Sequence, residues 1–242
     1  MRRGAKKFYG ELFGWKFDDM PMGPDAVYTM ANLGEGKTVG ALFKMGADMA
    51  GMPPHWASYV TVDDVDERTK KVTAAGGKVV KEPFDVMDVG RMSVVRDPTG
   101  ATLCLWQAKK HIGATIKDVP GALCWNEVYS SNVDASGKFY RDVLGWKLEP
   151  HDMGPMGVYT LFKRDGQDNG VGGMMSITPD MKGMPSHWCA YLATDDVDAS
   201  TKKVSELGGK VMVPPMDIPN IGRFSIVSDP QGASFALYKN MH

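Results

Sequence analysis

Two copies of one pattern, laid in register along the chain, limit its folding more than any other feature. Pro53-Pro54-His55-Trp56-Ala57-Ser58-Tyr59 runs into Asp63-Asp64-Val65-Asp66. Pro185-Ser186-His187-Trp188-Cys189-Ala190-Tyr191 runs into Asp195-Asp196-Val197-Asp198. Phe8-Tyr9 with Gly14-Trp15-Lys16 matches Phe139-Tyr140 with Gly145-Trp146-Lys147 at an offset of 131. After one inserted residue the offset is 132, and Asp97-Pro98-Thr99-Gly100 matches Asp229-Pro230-Gln231-Gly232. The fold is therefore read as a duplication. The expected domains are residues 1–109 and 121–242, with a linker at 110–120 that follows Lys109-Lys110 and contains Gly113 and Pro120.

Within the second copy the periodicity switches between strand and helix. Residues 123–129 alternate and predict a strand. Asp134 is placed to cap a helix whose apolar face is Ala135, Phe139, Val143 and Leu144, and Gly145 stops it. Residues 158–162 and 171–177 are strand candidates. The strand from Trp188 to Ala193 leads to a cap at Asp195 or Asp196 and a helix with Val197, Thr201, Val204 and Leu207 inward. Three further strands follow, the last two joined by the tight turn Asp229-Pro230-Gln231-Gly232. Each copy holds two strand–helix–three-strand units. The first copy lacks its first strand, because Arg3 already aligns with Asp134. Either the native start lies upstream of Met1 or that place in the sheet is filled from elsewhere; the reading favours the upstream start.

Composition excludes several classes. A net charge of −1 without a basic stripe argues against nucleic acid or an anionic membrane as partner. No apolar run reaches the roughly 18–20 residues of a membrane span. The start has no signal-peptide core, and the three cysteines have no paired spacing, so reduced thiols in the cytoplasm are expected. No phosphate-binding glycine loop, nucleophile elbow or paired-cysteine metal motif occurs. The methionines concentrate near predicted loops (Met20, Met22, Met45, Met49 and Met52, with Met153, Met156, Met175, Met181 and Met184) and are expected to pack under them.

The four-unit layout, the Phe-Tyr followed by Gly-Trp, and the Asp-Pro-x-Gly before the last strand resemble the vicinal oxygen chelate superfamily of glyoxalases, bleomycin-resistance proteins and extradiol dioxygenases. Pro-x-His-Trp-x-x-Tyr and Asp217-Ile218-Pro219-x-Ile221-Gly222-Arg223-Phe224 are similar to its tandem bacterial members. The resemblance implies an α+β fold of tandem domains. Each is made of two βαβββ units that form a cupped mixed sheet with helices outside, around a small-molecule site.

In the family's metal-dependent members, first and last strands of each unit carry His, Gln or Glu ligands. Counting from the flanking motifs puts those positions on Trp125, Cys189 and Ala236, and in the first domain on Ala57 and Cys104. No metal site and no cofactor are therefore expected. A slip of two residues would make Glu127 and His187 ligands, which is fewer than the three of a typical catalytic zinc site. Strand alternation puts Trp125, Glu127, Tyr129, Cys189, Tyr191 and Tyr238 inside the second cup. This set suits a flat or partly cationic organic ligand, or else fills the cup as core. In the first domain His55, Tyr59, Thr102 and Trp106 are the inward candidates. Arg223, like Arg91, either clamps an anionic ligand or stands in an exposed ion pair. His187 and His55 either touch ligand or brace the loop into the strand.

Three functions compete. The first is a metal-independent small-molecule binder of the bleomycin-resistance kind. The second is a glyoxalase-type lyase or isomerase acting on aldehyde–thiol adducts, or a metal-dependent dioxygenase, with Glu127 as general base and His187 as acid or ligand. The third is an interaction protein built on the paired domains. The expected partner is a small molecule, with a homodimer as the expected assembly if one forms.

Overall fold

The computed structural model describes residues 2–23, 26–154, 157–181 and 183–241. Met1 and Met156 lie outside the described residues. The first repeat runs α1 (Arg2–Phe13), β1 (Lys16–Pro21), β2 (Val27–Asn32), β3 (Thr38–Phe43), β4 (Tyr59–Thr61), α2 (Val65–Ala74), β5 (Lys78–Val86), β6 (Gly90–Arg96) and β7 (Thr102–Ala108). The second runs β8 (Leu123–Ser130), α3 (Val133–Leu144), β9 (Lys147–Asp152), β10 (Val158–Lys163), β11 (Gly170–Ser176), β12 (His187–Ala193), α4 (Val197–Glu206), β13 (Lys210–Ile218), β14 (Gly222–Ser228) and β15 (Ser234–Asn240). This is the α+β order of four βαβββ units, except that among the described residues no strand precedes α1 as β8 precedes α3.

Local chemistry sets the helix ends. Asp64 and Asp196 cap α2 and α4, accepting from the backbone N–H of Glu67 and Ala199. The cap of α3 is Asn132, not Asp134. Asn132 accepts from the Ala135 N–H, and Asp134 lies in the first turn, where a negative charge favours the helix. Gly145 ends α3 with φ of 74°, a left-handed conformation that costs glycine little.

The chain forms two compact units that do not follow the repeat. Unit 1 takes Met1–Trp56, Gly113–Cys124 and Ala190–His242; unit 2 takes Ala57–Ile112 and Trp125–Cys189. Each thus joins one module from each repeat. In unit 1, β1-β2-β3 form an antiparallel sheet, and β13-β14-β15 continue to β12, which pairs parallel to β15. In unit 2, one sheet has the order β4-β7-β6-β5, and β9-β10-β11 are antiparallel with β8 parallel to β11. One core packs Phe8, Tyr9 and Trp15 against Leu192, Val204 and Phe235. The other packs Val65, Val72 and Leu105 against Val128, Phe139 and Trp188.

The repeated motifs meet inside these cores. In unit 1 Trp56 Nε1–H donates to Tyr9 Oη (3.0 Å), whose O–H donates to Asp229 Oδ2 (3.0 Å). In unit 2 Trp188 Nε1–H donates to Tyr140 Oη (3.0 Å), whose O–H donates to Asp97 Oδ2 (3.1 Å). Each aspartate also closes its own Asp-Pro-x-Gly turn, Asp97 accepting from Thr99 and Ala101 and Asp229 from Gln231 and Ala233. The three motifs that repeat most visibly are therefore one buried hydrogen-bond chain, joining a module of one repeat to a module of the other. Of the methionines expected to pack under loops, Met20 (in β1), Met22, Met52 and Met184 are exposed, whereas Met45, Met49, Met153, Met175 and Met181 are half-buried.

Candidate functional site

In unit 2 the sheet β9-β10-β11-β8 has two distinct faces. Val128, Phe162 and Met174 point into the core under α3. Trp125, Glu127 and Tyr129 alternate onto the other face of β8. The register puts Gly173 beside Glu127 and Met175 beside Tyr129, with Tyr159 of β10 opposite Met175. Trp125 Nε1–H donates to Tyr159 Oη at 2.7 Å. Gly173 is what lets that phenol lie across the sheet, because a Cβ there would collide with Tyr159 Oη and Cζ. Tyr159 and Gly173 were not among the candidates. Their only sequence signal is the pair Gly172-Gly173 inside a strand, which marks a close approach of another group.

Glu127 is 5% exposed and Tyr129 4% exposed. His187 stacks on Tyr129, with ring centroids 5.2 Å apart and planes 9° from parallel. The His187 Nδ1 lies 2.9 Å from the Pro185 carbonyl. A carbonyl only accepts, so Nδ1 carries the proton, and in the neutral ring Nε2 then keeps a lone pair. His187 thus braces its loop and also belongs to the aromatic face. Cys189 follows on the same side of β12 and is buried. Trp125, Glu127, Tyr129, His187 and Cys189 all fall in unit 2.

The second sheet of unit 2 carries Tyr59 and Trp106 in an edge-to-face contact at 6.5 Å. Trp106 Nε1–H donates to the His111 carbonyl. Burial pushes the neighbouring Cys104 thiol up to about 11, which keeps it protonated and poorly nucleophilic at neutral pH.

Tyr191, Tyr238, Arg223 and His55 belong to unit 1. Tyr191 and Tyr238 meet edge to face at 6.2 Å, and Tyr238 donates to the Ile221 carbonyl. Arg223 grips Asp198 with two nitrogens (2.7 and 2.9 Å) and Asp217 with a third (2.8 Å), so its guanidinium is committed to bracing β14 against α4. Arg91 does the same in unit 2 with Asp66 and Asp85. His55 is exposed, and its Nδ1 lies 2.9 Å from the Pro53 carbonyl.

Residues 3–105 and 115–237 match the family described as the Glyoxalase/Bleomycin resistance protein/Dioxygenase superfamily, and the chain belongs to it. Among its relatives, "Putative glyoxylase CFP32" of Mycobacterium tuberculosis (strain CDC 1551 / Oshkosh) is 46% identical over 97% of this chain and 89% of its own. "Anthracycline biosynthesis protein DnrV" of Streptomyces peucetius is 35% identical over 95% of this chain and 86% of its own. The Mn(II)-bound glyoxalase from Novosphingobium aromaticivorans shares the fold, with a TM-score of 0.64 at 19% identity over 99% of this chain and 78% of its own. A divalent ion such as that one needs a set of ligands. Among the described residues no three His, Cys, Asp or Glu side chains come together, so the donors present do not fit a three-ligand metal site. No helix among the described residues is long and apolar enough to cross a membrane.

Proposed function

We propose that this chain binds a flat organic molecule on the face of unit 2 that carries Trp125, Glu127 and Tyr129, without a resident divalent metal. The carrying observation is a deeply buried carboxylate flanked along one strand by two aromatic rings, one of them stacked on His187. Aromatic faces hold a planar ligand by stacking, and a desolvated carboxylate selects a hydroxyl, an N–H or a cation. The Nε2 lone pair of His187 adds an acceptor. A relative named for anthracycline biosynthesis supports a polycyclic aromatic ligand class.

The test is titration of the full chain with anthraquinones and related polycyclic phenols, followed by tryptophan fluorescence and thermal shift. Trp125→Ala is expected to weaken binding about tenfold, the effect of losing one stacked ring. Stoichiometric retention of nickel, zinc or manganese by the purified protein would overturn the metal-free reading.

A glyoxalase-type lyase or isomerase is the second reading, favoured by the burial of Glu127. A general base gains from a desolvated, aromatic setting. It requires turnover of methylglyoxal–thiol adducts that Glu127→Gln abolishes.

A further inference from the structure

Unit 2 has an open cleft of about 230 Å³ beside β4, whose lining includes Val60, Val62, Leu144, Trp146, Arg164 and Val171. A hollow of about 250 Å³ continues it past Arg68 and Trp146. By the spacing of the repeat, these six lining positions correspond to Leu192, Thr194, Phe13, Trp15, Leu33 and Val39 of unit 1.

In unit 1 the chain itself lies against those residues. Ile116 and Val119 pack on the core that holds Trp15, Val39 and Leu192. The Trp15 Nε1–H donates to the Gly121 carbonyl at 2.8 Å. The edge of β12 is paired: Gly121 N–H donates to the Ala193 carbonyl (2.8 Å), and Ala193 N–H donates to the Ala122 carbonyl (2.9 Å). Gly121 presses so closely on Phe13 and Leu33 that a Cβ would stand 3.0 Å from Leu33 Cδ2.

Unit 2 has the receiving side of this arrangement. Trp146 is 7% exposed, and its indole N–H has no hydrogen-bond partner among the described residues but keeps access to solvent at the cleft, open to an incoming acceptor. β4 is the edge of its sheet, and Thr61, at the position of Ala193, is exposed with no strand beyond it among the described residues. The charge also differs. Arg164 stands where unit 1 has Leu33, and Arg68 where it has Ser200. Arg68 spends one nitrogen on the Val143 carbonyl (3.1 Å). Arg164 has no ion pair among the described residues. Asp63 shares the cleft, and Asp165 in the adjoining hollow is held by Lys147 at 2.6 Å.

We infer that this cleft docks an extended peptide segment that adds to the edge of β4, gives a backbone carbonyl to Trp146 and sets an acidic side chain against Arg68 and Arg164. Strand addition gives affinity through backbone bonds, and the side pockets give selection. The two arginines distinguish this occupant from the segment that unit 1 holds. The reading is independent of the ligand face on β8.

The probe is a labelled, end-capped peptide with the sequence of residues 113–130 of this chain, which contains Asp118 and Glu127. It is titrated into the full chain and followed by fluorescence anisotropy and amide hydrogen exchange. Saturable one-to-one binding is expected, with slowed exchange at Thr61, whose N–H points away from β7. Trp146→Phe is expected to weaken it about tenfold, as loss of one desolvated hydrogen bond does. Arg164→Leu, at an exposed position where folding is not at stake, is expected to weaken it at low salt and leave little further salt dependence. Absence of saturable binding overturns the inference. So does binding indifferent to Arg164→Leu, or a dimer that already protects Thr61 before peptide is added, since the occupant would then be a second copy.

Discussion

Tyr9 and Tyr140 hold corresponding places in the two cores, but their aspartates are not equally provided for. Asp97 Oδ2 accepts from Ser136 Oγ (2.7 Å) as well as from Tyr140. Ala5 stands at the corresponding position in unit 1, and Asp229 Oδ2 has Tyr9 as its donor. Tyr9→Phe strips Asp229 Oδ2 of its donor, and Tyr140→Phe leaves Asp97 with Ser136 but orphans the buried Trp188 N–H, so each change is expected to cost about 2–3 kcal/mol by urea unfolding. Both phenols are also pushed well above the ordinary tyrosine value, first by burial and then by the nearby aspartate charge. A raised folded pKa means that the fold favours the protonated phenol. That stabilisation is complete below the unfolded value of about 10 and is lost as the pH climbs from there toward the raised folded value. Unfolding free energies are expected to fall as the pH rises from about 10, and to fall less in Tyr9→Phe.

At the scale of elements, the turn from each second helix into its strand is a tight joint against backbone. A Cβ on Gly77 would lie 2.5 Å from the Arg96 carbonyl oxygen, and one on Gly209 would lie 2.5 Å from the Ser228 carbonyl oxygen. Backbone of a central ladder cannot yield as a side chain can. Gly77→Ala and Gly209→Ala are expected to cost about 1–3 kcal/mol each by chemical denaturation. These joints were legible in the sequence as Gly-Gly ends of helices with apolar faces at Val65, Val72, Val197 and Val204, and so were the caps at Asp64 and Asp196. The strands β1 and β9 were not, since Lys16–Pro21 and Lys147–Asp152 are polar and lack the alternation that marks a half-buried strand. The shared face of Trp125, Glu127 and Tyr129 follows from period two within one strand. The approach of Tyr159 to Trp125 depends on register across two further pairings, which no periodicity along a single strand encodes.

At the scale of the whole chain, the repeat announced a duplication but not which modules share a core. Phe8 packs in one core with Phe235, and Val65 packs in the other with Phe139. Repeats read along the chain suggest neighbours in sequence; apolar faces are interchangeable between copies, so the sequence has no term for the exchange. It has a direct test. Residues 113–242 alone carry only half of each core. They are expected to give poorly dispersed amide spectra as a monomer, or to regain a cooperative transition only on dimerising, by NMR and sedimentation. A well-dispersed, monomeric half would contradict the interleaved units.

The nesting of the units also orders events on the ribosome. Unit 2 is complete once Cys189 has emerged, whereas unit 1 waits for the segment that begins at Ala190. The helix with Phe8, Tyr9, Leu12 and Phe13 on its apolar side is made well before Ala190 and meets the rest of its core only afterwards. At synthesis rates of about 5–20 residues per second, those aromatic side chains stay unburied for about ten to forty seconds. That early helix is thus a stretch for a chaperone to shelter until the segment from Ala190 arrives.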